Sequence, residues 1–153
     1  MANIVFNIAK GRVVEFYNRV KGNDPANSAF VLIPIEATGL ESDATLIDAD
    51  TVAAVLAGDT NEQTTMGRKV LTDAELAALP APDDANDRRD LPLPTTVWTA
   101  AAGNEVAKML VAYDADTTGG TDADLVPLTL FDFSVSPAGS DIEMTGATFF
   151  RAA

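Results

Sequence analysis

Two apolar runs, NEVAKMLVAYD at 104–114 and ADLVPLTLFDFSVS at 123–136, flank the polar segment DADTTGGTDAD. Met109, Val111 and Tyr113 alternate in the first run. Phe131, Phe133 and Val135 alternate with Asp132 and Ser134 in the second. Alternation of this kind puts one set of side chains inward and the other toward water, as in a strand. The Gly119-Gly120 pair supplies a turn between them. The spacing predicts an antiparallel hairpin with strands near 105–113 and 124–135. An isolated hairpin is marginal in water, so the rest of the chain must give it neighbours.

The remaining segments predict those neighbours. In KGRVVEFYNRVK, residues 10–21, Val13, Phe16, Tyr17 and Val20 fall on one face of a helix. Gly22 and Pro25 are expected to stop it. Phe30 to Ile33 in NSAFVLIPIEATG read as a strand covered on both faces, with Pro34 marking an edge or the strand end. IDADTVAAVLAGDT predicts a short helix capped by Asp48 or Asp50, with Val52, Val55 and Leu56 inward and Gly58 just past its end. GRKVLT (67–72) and PTTVWTA (94–100) read as strands. TDAELAALP has capping-box spacing at Thr72 and Glu75, room for a turn or two, and Pro80 as its stop. Residues 80–94, PAPDDANDRRDLPLP, mix proline with opposite charges and are expected to be an exposed excursion. Phe149 and Phe150 close the chain side by side. In a strand they point to opposite sides, so one of them is expected to leave the core.

At 153 residues the chain is sized for one domain. The expected fold class is α+β and β-rich, with six to eight strands in a single domain over 1–153. It comprises an N-terminal helix, one or two further short helices, and a β-sandwich or barrel-like core.

Composition narrows the chemistry. The chain has no Cys and no His. Zinc-thiolate sites, nucleophilic Cys and the Ser-His-Asp triad are therefore excluded. A formal net charge of −13 opposes binding to nucleic acid and to anionic membrane. No apolar run reaches the length of a membrane span. The first twenty residues lack the pattern of a secretory signal, and synthesis in a cytoplasm is expected. No phosphate-binding glycine loop occurs.

The aspartates of the hairpin loop are the most suggestive cluster. With Asp114 as the first ligand of an EF-hand loop, Asp116, Gly119 and Asp122 fall at the third, sixth and ninth positions. The twelfth position, where a bidentate Glu belongs, is Leu125. This leaves at most a weak calcium site at Asp114, Asp116 and Asp122, beside the plainer reading of a solvated loop. Glycosidase chemistry needs two carboxyls whose environments differ across a groove, and four aspartates in one loop do not suggest that. Lys108, inside an apolar run, reads either as a perturbed amine or as a charge guarding the wet face of an edge strand. Arg88 and Arg89, set among acids in NDRRD, read either as a solvated charge cluster or as an inter-subunit ion-pair site.

Several stretches together carry a resemblance. They are NIAKGRVVEFYNRVKGNDPANSAFVL, DADTVAAVLAG followed by NEQTT, DDANDRRDLPLPTTVWTAAAGNEVAKMLVAYDADT, and the closing GATFFRAA. The sequence resembles a small virion structural protein found in many tailed bacteriophages, similar in kind to capsid decoration (cement) proteins. The resemblance implies a non-enzymatic protein without a cofactor, located on the capsid exterior. Its implied partners are the major capsid protein and copies of itself, as a homotrimer. Arg88, Arg89, Phe149 and Phe150 are the candidate interface residues. The alternatives are a tail, collar or fibre-associated virion protein, or a calcium-dependent β binding module.

Overall fold

The structure is a computed structural model that describes residues 4–146 and 148–153. Its centre is a five-stranded antiparallel sheet in the order β1-β7-β6-β2-β3. The strands are β1 (Ile4–Val5), β2 (Ala29–Glu36), β3 (Lys69–Leu71), β6 (Val106–Asp114) and β7 (Val126–Val135). β4 (Arg89–Pro92) pairs with β9 (Thr148–Ala152), and β5 (Thr96–Trp98) pairs with β8 (Ile142–Met144). Three helices, α1 (Val13–Gly22), α2 (Asp43–Leu46) and α3 (Val52–Val55), complete it. None is long and apolar enough to cross a membrane. The expected α+β, β-rich class holds.

Register divides the side chains between two faces. Phe30 lies opposite Tyr113, Leu32 opposite Val111, and Met109 opposite Phe131. All of these share the first face. α1 covers part of it: Phe16 stacks on Tyr113 at 4.5 Å between ring centroids, and Tyr17 meets Phe30 at 5.9 Å. The predicted stripe Val13, Phe16, Tyr17 and Val20 is the buried face of this helix. Each side chain so buried contributes about 1.5–3 kcal/mol. The two ribbons cover more of the same face. Phe149 of β9 meets Phe30 at 5.7 Å, and Trp98 of β5 meets Phe133 at 6.0 Å.

The second face carries Val31, Ile33, Ile35, Leu110 and Leu130. α2 lies here, since Asp43 reaches Lys108 on this face. Leu46, Val52 and Val55 join the same core. The sheet is open, with β1 and β3 at its edges. The layering is therefore sandwich-like, but two separate ribbons and a helix stand where a continuous second sheet was expected. No barrel closes.

Several local expectations change. Gly22 is the last helical residue, and Asn23 takes the left-handed conformation that ends α1 (φ 49°, ψ 46°). Thr51, rather than Asp48 or Asp50, caps α3 by accepting a hydrogen bond from the Ala54 N–H. Leu56 is half-buried and follows the helix. Pro34 does not end its strand: β2 runs on to Glu36. Its carbonyl accepts from the Gln63 N–H, on the side away from β6. A residue's N–H and C=O point to the same side, so the missing donor costs no bond to β6. Thr72 and Glu75 make the capping-box contact at 2.7 Å, but only a turn follows. The 80–94 excursion is exposed only in its first half. Its second half is β4, with Leu91 and Leu93 in the core.

Candidate functional site

Each aspartate of the 114–124 loop is already bonded within the fold. Asp114 Oδ1 accepts from the Asp116 N–H at 2.9 Å. Asp116 Oδ1 accepts from the Thr118 N–H at 3.0 Å and from its hydroxyl at 2.6 Å. The Thr118 hydroxyl, and then its N–H, hold the Asp116 carboxyl below its usual pKa. Asp124 Oδ2 accepts from the Thr121 N–H at 2.8 Å. These are turn-forming bonds, the ordinary work of Asp in loops.

Asp122 differs. Arg68 donates to it twice, Nη1 to Oδ1 at 2.6 Å and Nη2 to Oδ2 at 3.0 Å. The same guanidinium donates to both oxygens of Glu62, from Nε at 2.8 Å and from Nη2 at 2.5 Å. Hydrogen bonding to Arg68 lowers the Asp122 pKa. Glu62 first, and Asp122 second, raise that of Arg68. Both oxygens of Asp122 are engaged by the guanidinium, which competes with any cation for them. Among the described residues no group of three His, Cys, Asp or Glu converges on a metal position. The expected set of Asp114, Asp116 and Asp122 is therefore not assembled. Nor is the loop wholly solvated. Its tip is exposed, but the Ala53 N–H donates to the Asp122 carbonyl at 2.9 Å and Leu125 is buried.

Lys108 is neither at an edge nor wet. It lies on β6, inside the sheet, with a fully buried side chain. Its Nζ is 2.8 Å from Asp43 Oδ1 and 3.6 Å from Asp132 Oδ1. Asp43 opens α2, which Ser42 caps. Asp132 stands opposite Lys108 across the β6–β7 pairing. The sequence could not disclose this arrangement, because Asp43 is 65 positions away from Lys108.

The charged residues of NDRRD mostly serve the fold. Arg88 Nε lies 3.5 Å from both Asp83 Oδ2 and Asp90 Oδ2. Arg151 donates to Asp90 at 2.6 and 3.1 Å, joining β9 to β4 at directly opposed positions. Arg151, ahead of other charges, lowers the Asp90 pKa. Arg89 is half-buried and, among the described residues, makes no ion pair.

The two phenylalanines near the end divide as alternation requires. Phe149 is 8% exposed and packs in the core, while part of it also walls the cleft beside it. Phe150 is half-buried. Beside them lies a cleft of about 330 Å³, walled by Phe131 and Phe133 of β7, Leu93, Met144 of β8, and Phe149. A second, shallower depression meets it at Thr148 and Phe149 and includes Phe150 and Val5. Of the chain's seven phenylalanines, Phe6, Phe16, Phe30 and Phe149 are buried. The other three, Phe131, Phe133 and Phe150, are half-buried and all lie along these two hollows. Reading Phe131 and Phe133 as inward-facing was right about direction. It missed that the cover over them is incomplete. No protein-family model, curated protein or solved structure matches this chain.

Proposed function

We propose that this chain is a non-enzymatic structural protein of a tailed-phage virion, a decoration protein bound to the outer surface of the assembled head. One observation carries the reading furthest. The three half-buried phenylalanines are gathered along one pair of adjoining hollows instead of being scattered. Aromatic side chains in a depression are the usual centre of a protein–protein contact, and here Asp132, Glu143 and Arg151 stand beside them. The partner in this reading is the major capsid protein, and copies of the chain sit together as a trimer closed by head-to-tail contacts.

The charge fits that station. A net charge of −13 keeps free copies apart and disfavours the DNA-facing side of a shell. On the shell, repetition multiplies modest contacts by avidity.

The test is to incubate the purified protein with heads that lack it, sediment the particles and count bound copies. Stoichiometric or fixed-fraction occupancy relative to the major capsid protein supports the proposal. Occupancy confined to a few copies per particle moves the chain to a tail, collar or fibre position. No binding to any part of the particle refutes the virion reading.

A further inference from the structure

We propose that Lys108 and Asp43 condense spontaneously into an intramolecular amide, with Asp132 relaying the proton. The first ground is burial. A lysine normally keeps its ammonium in water while its stem lies on apolar surface. Lys108 does not: its side chain is 0% exposed, on an inner strand directly opposite Ile35, which is itself fully buried.

The second ground is the count of donors. An ammonium carries three N–H groups. Among the described residues Nζ donates one hydrogen bond, to Asp43 at 2.8 Å, and Asp132 stands beyond hydrogen-bond length at 3.6 Å. Its other donors have only Asp132, at ion-pair distance, as a partner among the described residues, in a place where poorly satisfied donors are costly. An amide nitrogen retains a single N–H. Condensation removes the misfit.

The third ground is proximity. In water, an amine and a carboxylic acid do not condense to a useful extent. Groups held in contact by a rigid frame react with effective molarities on the order of 10⁵–10⁸ M. Both partners here are so held, Lys108 by an inner strand and Asp43 by the capped first turn of α2.

The step balances without any other reactant. The ammonium passes one proton to Asp43 along their hydrogen bond, leaving a neutral amine and a neutral carboxylic acid. The Nζ lone pair attacks Cγ of Asp43 and the C–N bond forms. Asp132 takes a second proton from the nitrogen and delivers it to the departing hydroxyl. The C–O bond breaks and water leaves past Asp132, whose side chain is 43% exposed. Nothing is oxidised or reduced.

Intact-mass measurement of the purified full chain decides the matter. Most of the wild-type protein is expected to be one water lighter than its sequence, with a branched peptide joining the segments that contain Lys108 and Asp43. Lys108→Arg keeps the charge but cannot form this amide, and should have the full sequence mass. Asp132→Asn should lower the modified fraction. Asp43→Asn offers a sharper check, since loss of ammonia from Asn yields the same amide. That variant and the wild type should converge on one mass. A wild-type chain that keeps its full sequence mass after prolonged incubation refutes the proposal. So does a loss of water found only in linear peptides, as from a backbone succinimide. The wild-type mass is decisive even if every variant fails to fold.

Discussion

Arg68 and Asp122, 54 positions apart, meet through two parallel hydrogen bonds of 2.6 and 3.0 Å. The contact pins the hairpin loop to the strap that leads into β3, and it takes in Glu62 on the same guanidinium. Asp122→Asn should cost about 1 kcal/mol, since Asp122 is partly exposed and its charge is screened. Arg68→Met also strips Glu62 of its partner and should cost about 2–3 kcal/mol. The pH dependence has a definite sign. The folded pKa of Asp122 lies below its unfolded value. Its contribution is complete above about pH 5 and is lost as pH falls through the lowered value. The gap in Tm between wild type and Asp122→Asn should shrink on acidification below about pH 4.

Asp43→Ala removes the nearer partner of Lys108, whether the two are held as an ion pair or joined as the amide. It leaves Lys108 buried with only the more distant Asp132 for a partner. Stranding a buried charge typically costs about 3–5 kcal/mol. For a chain of this size that is a fall in Tm of roughly 10 °C. Thermal denaturation followed by circular dichroism measures it. A change within a degree of wild type would show that Lys108 does not depend on Asp43.

Calcium should leave the protein indifferent. A cation bound only by the folded state raises Tm by mass action. With Asp122 engaged by Arg68, no such site is assembled among the described residues. Melting curves in millimolar calcium and in chelator are expected to superimpose.

The cleft makes a comparative prediction. Phe133→Ser and Phe150→Ser should each reduce occupancy on heads at least tenfold, a modest loss for a central aromatic. Val70→Ser serves as the control, because Val70 is 48% exposed and lies on β3, opposite Val31 of the second face. It should bind like wild type. Equal losses in all three variants would argue against a localised contact.

Gly103 is a site of tight approach. It has φ +109°, and a Cβ there would stand 1.9 Å from the Gln63 side-chain nitrogen. That nitrogen donates to the carbonyls of Ala102 and Asn104, both at 3.1 Å, so Gln63 cannot move without loss. Gly103→Ala should therefore destabilise by about 2 kcal/mol or more, through backbone strain and broken bonds together. Chemical denaturation would read this as a lower midpoint with an unchanged slope.

What could be read from the sequence was what local periodicity encodes. The stripe Val13, Phe16, Tyr17 and Val20, and the alternation in 106–114 and 126–135, report a neighbour on one side at a fixed period. The helix and the hairpin stand where expected. Residues 89–92 gave no such signal, because proline and charge dominate RDLP. Its strand character comes from pairing with β9. Lys108 was opaque for a related reason. Burial of its amine depends on Asp43 and Asp132, which arrive from a helix and another strand. The aspartate loop misled because a calcium loop and a run of side-chain-bonded turns use the same residue types. Leu125 at the twelfth position already spoke against calcium, and the place of Arg68 beside Asp122 adds what the sequence could not show. The cleft was half legible: the alternation of Phe131 and Phe133 and the adjacent pair Phe149 and Phe150 were visible, but not that they meet or that their cover is incomplete.

The strand order has a consequence for how the chain is made. β1, at residues 4 and 5, pairs with β7 at residues 129 and 130, and β4 waits for β9 at the other end of the chain. While a ribosome extends the chain at about 5–20 residues per second, the first half has no completed sheet to join. For several seconds β2 must remain without its β6 neighbour. A topology of such distant pairings also folds slowly once it is complete. At high expression many copies would be in this half-made state at once. The negative charge spread along the nascent chain is then a protection during synthesis, holding unfinished strands apart until their partners emerge.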